Sequence, residues 1–270
     1  MADRSVPAAL AVRGLRYAFG ETVAVDGVDL TVEPGEVFGL LGPNGAGKTT
    51  TIRVITTLLP VPAGTAAVFG IDVHSHKMAV RRLIGYVPQM LSADAALSGR
   101  ENVALFARLF DVPRPRRKTL VAEAIEAMGL AGAADRPAGT YSGGMVRRLE
   151  LAQALVSSPR LLILDEPTIG LDPVARTGVW ERIAEVRART GVTVLVTTHY
   201  MDEAEEHCDR VALMHRGRIR AEGTPPELIA GLDGAGDSLD DVFRAHTGDA
   251  LEAGGFRDVS ATRRTARRLG

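Results

Sequence analysis

Short apolar runs alternate along the chain with segments in which apolar residues recur every three or four positions. The runs with the length and composition of buried strands are EVFGLLG, TAAVFG, IGYVPQ, RLLILDEP and GVTVLVTTH. The segment KTTTIRVITTLL follows the first run directly and has helical spacing. Because strands that alternate with helices usually pair in parallel, this pattern predicts an α/β fold with a largely parallel sheet.

A stretch of different character interrupts this alternation between residues 90 and 158. It contains three amphipathic segments, GRENVALFARLF, KTLVAEAIEAMGL and SGGMVRRLELAQALV. In the third segment, the apolar positions Met145, Leu149, Ala152 and Val156 would share one face of a helix. The sequence therefore predicts a helical insertion within the sheet-forming part of the chain.

The last part of the chain predicts a hairpin, a break and a short helix. RVALMHRGRIRAEG predicts two strands that turn at Arg216-Gly217, and AGLDGAGD marks the break. SLDDVFRAHTG predicts a helix capped by Ser238. Two basic stretches are interpreted as exposed: PRPRRK as a turn before a helix, and SATRRTARRLG as a solvated tail, with contact to anionic lipid as the alternative.

Composition places the chain among ordinary globular proteins. Hydrophobic residues make up 46% and charged residues 24% of the 270 positions, and the net charge of −1 gives no overall attraction to nucleic acid. No apolar run approaches the roughly 20 residues that span a bilayer, and the first residues lack the apolar stretch of a signal peptide. The single cysteine, Cys208, is expected to be a buried packing residue in a reducing compartment.

The most specific motif is GPNGAGKT, which matches the phosphate-binding pattern G-x-x-x-x-G-K-[ST] in full. It lies between a predicted strand and a predicted helix, which is the context that this motif requires. Lys48 is expected to bind the terminal phosphates of a nucleoside triphosphate, and the Thr49 hydroxyl is expected to bind Mg²⁺. The residues predicted to contact the nucleotide are Gly42, Pro43, Asn44, Gly45, Ala46, Gly47, Lys48, Thr49 and Thr50.

LLILDEP supplies two acidic residues at the end of a predicted buried strand. Asp165 suits the coordination shell of Mg²⁺, directly or through water. Neighbouring residues of a strand point to opposite faces, but a turn at the strand end would bring Glu166 towards the terminal phosphate. There it would accept a proton from the attacking water as the general base. The motif pair therefore predicts hydrolysis of a nucleoside triphosphate as well as binding.

The start of the third helix of the insertion resembles the signature of a known family. SGGM ahead of a helix, followed by LLILDEP, is similar to the signature stretch of ABC-type ATPases. The resemblance implies that Ser142, Gly143 and Gly144 complete the ATP site of a second copy of the chain, in a head-to-tail homodimer with a twofold axis. Read from the residues alone, SGG would be an ordinary flexible turn before a helix.

The same resemblance implies roles for further residues. Gln89 matches the glutamine that binds Mg²⁺ and links two lobes, and His199 matches the histidine that contacts the terminal phosphate. Asp172 matches the aspartate at the dimer interface. Phe19 matches the aromatic residue that stacks on adenine, with Tyr17 as the alternative.

The resemblance covers roughly residues 8 to 247 and implies a P-loop NTPase (RecA-like) core. In that fold a mostly parallel sheet is joined by an N-terminal antiparallel β portion and by a helical insertion that carries the signature motif. It implies a core lobe from 8–89 and 159–224, a helical subdomain from 90–158 and a C-terminal extension from 225–270. The departures are mild: Tyr141 replaces leucine, Met145 replaces glutamine, and IG replaces SA before LDP.

Several longer stretches resemble the ATP-binding subunits of drug and antibiotic exporters of the daunorubicin-resistance type. They are the phosphate-loop region AVDGVDLTVEPGEVFGLLGPNGAGKTTTIRVITTLL, GTAAVFGIDV and LDDVFRAHTG. The resemblance implies export of a hydrophobic small molecule or lipid through a separate membrane subunit, at the cytoplasmic face of the cell membrane, without a nucleic-acid partner. Two alternatives stay open: an ABC ATPase not coupled to transport, and a phosphate-loop kinase.

Overall fold

The computed structural model describes residues 7–248, so the predicted basic tail lies outside the described residues. The strands are β1 (Leu10–Phe19), β2 (Thr22–Val32), β3 (Val37–Leu41), β4 (Ala66–Val68), β5 (Ile71–Asp72), β6 (Ile84–Val87), β7 (Leu161–Asp165), β8 (Thr193–Thr198), β9 (Arg210–His215) and β10 (Arg218–Gly223). The α-helices are α1 (Lys48–Ile55), α2 (Lys77–Leu83), α3 (Gly99–Leu109), α4 (Arg114–Ala127), α5 (Gly143–Leu155), α6 (Pro173–Thr190), α7 (Met201–His207), α8 (Pro225–Ala230) and α9 (Leu239–Thr247).

A six-stranded sheet forms the centre of the molecule, in the order β10-β9-β3-β8-β7-β6. The pairs from β9 to β6 are parallel, and β10 joins the edge antiparallel to β9 through the predicted turn at Arg216-Gly217. Strands β3, β7 and β8 are buried along their whole length, as their unbroken apolar sequences require. Because they are parallel, their carboxyl ends lie at one edge of the sheet, where the predicted site residues follow.

A second sheet of four strands is antiparallel, in the order β2-β1-β4-β5. The predicted strand TAAVFG belongs to this sheet, where β4 pairs with β1. One hydrophobic core lies between the two sheets and includes Leu10, Phe38, Ile52 and Ile163. The α/β class, with a mostly parallel sheet and an N-terminal antiparallel portion, is confirmed.

The other hydrophobic core joins the opposite face of the six-stranded sheet to helices α3–α7 and α9. It includes Leu149 and Ala152 of the predicted apolar face of α5, and the buried Phe243 of α9. The predicted cap of α9 is confirmed, because the Ser238 hydroxyl accepts a hydrogen bond from the backbone N–H of Asp241. Helices α3, α4 and α5 all fall between residues 90 and 158, and the described part of that stretch contains no strand.

The structure corrects the interpretation of PRPRRK as a turn. Helix α4 begins at Arg114, with Pro113 as its N-cap residue and Pro115 in its first turn. The first turn of a helix tolerates proline, because its N–H groups have no partner within the helix. The two prolines therefore begin the helix and do not precede it.

Cys208 is buried, as its interpretation as a packing residue requires, and burial raises the pKa of its thiol to about 12. Within residues 7–248, none of the helices is both long enough and apolar enough to cross a membrane.

Candidate functional site

The phosphate loop connects the carboxyl end of β3 to the start of α1, and close packing explains two of its glycines. Gly42 has φ 153° and Gly47 has φ 109°. A Cβ atom on Gly42 would lie 2.1 Å from the carbonyl oxygen of Met214, and one on Gly47 would lie 2.5 Å from that of Ala24. Only glycine fits these positions, so the loop conformation depends on the sequence that forms the motif.

Lys48, the first residue of α1, is folded back over this loop. Its side chain is 5% exposed, and its ammonium donates to the carbonyl oxygens of Gly42 at 2.6 Å and Pro43 at 3.3 Å. The same Nζ atom lies 3.0 Å from Oε1 of Glu166, which is equally buried. The structure therefore brings the loop lysine and the predicted general base into one ion pair.

Asp165, the last residue of β7, reaches the loop although β8 separates β7 from β3. Its Oδ1 atom accepts hydrogen bonds from the hydroxyls of Thr49 at 3.2 Å and Thr197 at 2.6 Å. Its Oδ2 atom is buried and accepts no hydrogen bond from any residue between 7 and 248. Burial raises the pKa of Asp165, although the two hydroxyls oppose the rise. A buried carboxylate oxygen without a donor, beside a threonine hydroxyl, fits the oxygen ligands that Mg²⁺ prefers.

Glu166 follows β7 directly and lies at a turn of the chain, as expected for a residue that points towards the terminal phosphate. Its φ is 52°, and its backbone N–H donates to the carbonyl and the hydroxyl of Thr197, both at 3.0 Å. Its Oε2 atom lies 2.7 Å from Nδ1 of His199. Burial alone would raise the pKa of Glu166, but the hydrogen bond with His199 and the charge of Lys48 lower it below its ordinary value. Glu166 is therefore an ionised carboxylate that is able to accept a proton.

One cleft of about 280 Å³ lies over the loop. It is lined by residues 43–50 together with Ala24, Gln89 and Glu166. Phe19 is not among the residues that line it. The Phe19 side chain is 48% exposed at the end of β1, with its ring edge-on to Tyr17 at 5.0 Å.

A second cleft of about 540 Å³ contains the serine–glycine corner, which we define as Ser142, Gly143 and Gly144. Ser142 and Gly144 line it with Asp172, and it shares no lining residue with the first cleft. The Ser142 hydroxyl accepts from the N–H of Met145 at 3.3 Å and caps α5, while Asp172 caps α6 by accepting from Ala175 at 2.9 Å. Two helices therefore begin side by side at this cleft.

Gly144 also has a packing role that the motif did not predict. A Cβ atom at this position would lie 2.9 Å from the Cβ of Ala175 in α6. The glycine thus lets the start of α5 approach the start of α6.

Comparison with known proteins agrees with this geometry. Residues 25–169 match the ABC transporter family. The chain belongs to the ABC transporter family. It is 49% identical over 224 residues to the daunorubicin/doxorubicin resistance ATP-binding protein DrrA of Streptomyces peucetius, covering 83% of this chain and 68% of that protein. It is 45% identical to the Nod factor export ATP-binding protein I of Burkholderia orbicola, covering 80% and 71% of the two chains.

Solved structures of ABC proteins share the fold. The ATP-binding subunit of an ABC transporter matches with a TM-score of 0.78 and 28% identity, covering 90% of this chain and all of that one. The protein cbiO1 from Clostridium perfringens, part of the ABC transporter complex cbiONQ, matches with a TM-score of 0.75 and 31% identity, covering 83% and 91%. The chain is thus an ATP-binding subunit of the ABC type, and members of this class are ATPases.

Most predicted site residues of this ABC ATPase fall into two groups. Contacts join Lys48, Glu166 and His199 in one set and Thr49 and Asp165 in another. The hydroxyl of Thr197 links the two sets, because it accepts from the N–H of Glu166 and donates to Asp165. Ser142, Gly144 and Asp172 line the second cleft, and Gly143 is the first residue of α5 but is not part of that lining. Gln89 borders the first cleft, whereas Phe19 lies outside its lining.

The sequence did not reveal the residues that support the site of this ABC ATPase. Thr197 contacts both acidic residues, and its position two residues before His199 was the one available signal. Arg176 donates to the carbonyl oxygen of Leu171 and to the hydroxyl of Tyr200, both at 3.0 Å. Arg176 thereby connects the loop before Asp172 to the residue after His199. No local sequence pattern predicts this long-range contact.

Proposed function

We propose that this chain hydrolyses ATP at the interface between two of its copies, as the ATP-binding subunit of an exporter. The observation that carries the proposal is the separation of two half-sites within one chain. The phosphate loop and the acidic pair border one cleft, and the serine–glycine corner borders another. A head-to-tail pair with a twofold axis would unite one half-site of each kind at two equal interfaces.

In this proposal the loop cluster binds the triphosphate and activates water. Lys48 and the loop N–H groups hold the phosphates, and Glu166 accepts the proton of the attacking water. His199, hydrogen-bonded to Glu166, orients that carboxylate and contacts the terminal phosphate. Thr49, Asp165 and Gln89 would hold Mg²⁺, which when bound supplies positive charge to the phosphate oxygens.

The names of the relatives and the exposed surface support a membrane partner. The relatives are named for daunorubicin/doxorubicin resistance and for Nod factor export, so we infer a drug-like or lipid-like cargo. Met90, Leu91, Leu105 and Leu109 are exposed apolar side chains of the 90–158 segment. We propose that this segment is the helical subdomain and that it contacts a separate membrane permease at the cytoplasmic face of the membrane. In the same proposal, residues 8–89 and 159–224 form the core lobe and residues 225–270 form the C-terminal extension.

The surface proposal is tested by membrane attachment in the cell that makes the protein. The chain is expected to sediment with the membrane fraction, and Leu105→Asp/Leu109→Asp is expected to release it while ATP binding stays within about twofold, since a carboxylate opposes apolar contact. Met78→Asp changes an equally exposed apolar residue of α2 and serves as the control. If the unaltered chain were never associated with membranes, an ABC ATPase uncoupled from transport would be the better assignment.

The adenine contact is tested by comparing two ligands. Phe19→Ala is expected to weaken ATP binding about fivefold to tenfold, because stacking on the base is lost, and to leave the binding of inorganic triphosphate unchanged. Titration calorimetry with both ligands measures the two affinities. Equal losses for both ligands would contradict stacking, and a loss of ATP affinity in Tyr17→Ala alone would assign the contact to Tyr17.

A further inference from the structure

The chain between β6 and α3 begins with a short segment that is exposed in its middle and fixed at its two ends. We call Pro88, Gln89, Met90, Leu91 and Ser92 the 88–92 segment. The side chain of Met90 is 82% exposed and that of Leu91 is 60% exposed. The backbone on either side of these two residues contacts a buried ion pair of α5.

Arg147 holds the first end of the 88–92 segment. Its side chain is 2% exposed, and its guanidinium donates from Nη1 to the carbonyl oxygen of Pro88 at 2.8 Å and from Nη2 to that of Gln89 at 3.1 Å. Nη1 also donates to Oε2 of Glu150 at 3.0 Å. The rigid, planar fork of the arginine thus uses two nitrogens to bind two successive carbonyl groups and the Glu150 carboxylate at fixed positions.

Glu150 holds the other end. It is as buried as Arg147, and its Oε1 atom accepts from the backbone N–H of Ser92 and from the Ser92 hydroxyl, the latter at 3.1 Å. Burial raises the pKa of Glu150 and lowers that of Arg147, so ionisation of the pair is costly. A buried ion pair adds little net stability compared with apolar residues of similar volume. Its contribution here is the geometry that it imposes on the chain it contacts.

One turn further along α5, Gln153 continues the same polar stripe. Its Nε2 atom donates to Oδ1 of Asn102 at 3.2 Å, and Asn102 in turn bonds both the N–H and the carbonyl oxygen of Asp94 at 2.9 Å. Positions 147, 150 and 153 lie on one face of the helix, because they are three residues apart. The helix that begins at the serine–glycine corner therefore contacts the chain between β6 and α3 at residues 88, 89 and 92 and contacts α3 at Asn102.

We propose that Arg147 and Glu150 are positioning residues that make the 88–92 segment and the serine–glycine corner move as one body. The proposal rests on the proposed function, because it assumes the roles given there to Gln89 and Ser142. A displacement of Gln89 at the nucleotide, or of Met90 and Leu91 by a membrane partner, is then passed to α5 through two buried side chains. The corner at the start of α5 moves with it, towards or away from the ATP of the second copy.

The test uses Arg147→Lys in the full chain, because lysine keeps a positive charge beside Glu150 but replaces the planar fork of two nitrogens with one ammonium. The matched control is Arg182→Lys, since Arg182 and Glu185 form an ion pair with the same spacing on the surface of α6. A nitroxide on Met90→Cys reports the mobility of the segment. Cys208, the single native cysteine, is buried and does not compete for the label.

Arg147→Lys is expected to lower kcat about tenfold, to leave KM for ATP within about twofold and to sharpen the nitroxide spectrum. A merely structural role would lower the melting temperature without freeing the label. The proposal is overturned if kcat and the spectrum match those of Arg182→Lys, if kcat falls while the label stays immobile, or if the label is freed without loss of rate.

If Arg147→Lys does not fold, Glu150→Gln is measured in the same way, with Glu185→Gln as its control. The same outcomes are expected, because an amide has no charge and only one acceptor oxygen, which does not replace both the Oε1 contact with Ser92 and the Oε2 contact with Arg147. The spectrum requires no hydrolysis, so it separates this proposal from the proposed function. Hydrolysis that survives in Glu166→Gln would refute the assigned base and leave the measured link between Arg147 and the segment intact.

Discussion

Glu166→Gln is expected to keep ATP binding and to lower turnover by about 10² to 10⁴, the range for loss of a general base. The amide does not accept a proton from water, whereas the native carboxylate is ionised and held by Lys48 and His199. The exchange also removes a negative charge 3.0 Å from Lys48, which otherwise competes with phosphate for that ammonium. We therefore expect tighter ATP binding and a stable nucleotide-bound dimer.

Single-turnover hydrolysis and size-exclusion chromatography with ATP measure the two effects. Glu185→Gln, which changes an exposed glutamate of α6, is the control and is expected to hydrolyse ATP as the native chain does. A Glu166→Gln chain that stayed monomeric and hydrolysed ATP at the native rate would refute both the general base and the dimer.

Ser142→Arg is expected to leave nucleotide binding by the isolated chain intact and to stop hydrolysis. Ser142 lies outside the cleft of its own phosphate loop, so its own ATP contacts are not affected. In the dimer, a hydrogen-bond donor aimed at the phosphates would be lost, at about 3 kcal/mol of transition-state stabilisation, and the arginine would obstruct the interface. ATP affinity and steady-state hydrolysis are the measurements.

Loss of the helix cap is a separate effect of the same exchange, worth about 1 kcal/mol. Ser142→Asp controls for it, because aspartate caps a helix as well as serine does. It is expected to stop hydrolysis as well, since its charge repels the triphosphate. Native hydrolysis by Ser142→Asp would show that only the cap matters.

Mixing two inactive chains decides whether the serine acts on its own ATP or on that of its neighbour. Lys48→Ala lacks a phosphate-loop lysine, and Ser142→Arg lacks the corner. A mixed dimer contains one site built from the intact loop of one chain and the intact corner of the other. Activity is expected to return on mixing; two preparations that stay inactive together would refute the assignment in trans.

The sequence predicted the parts of the fold that depend on local pattern. The phosphate loop, the buried strand before Asp165 and the cap at Ser238 follow from short-range sterics and hydrogen bonding. The start of α4 was missed because proline both ends and begins helices, and which of these occurs at Pro113 depends on the chain that packs around it.

Contacts between residues far apart in the chain could not be predicted from the sequence for a different reason. Thr197 reaches Asp165 across neighbouring strands, and Arg147 reaches Pro88 from a helix 59 residues away in the chain. Such pairs depend on the order of strands and the packing of helices. The two partners therefore have no fixed separation in the sequence that would reveal the contact. The catalytic and binding roles, including that of Phe19, stay predictions that the experiments above address.

The ion pair between Lys48 and Glu166 has a consequence for the timing of catalysis. While the lysine neutralises the glutamate, the carboxylate is a weak base. When a phosphate takes over the ammonium, Glu166 loses its cation and gains an anionic neighbour, and both changes raise its proton affinity. On the proposed roles, arrival of the substrate itself strengthens the base that will act on it, which disfavours premature proton uptake between turnovers.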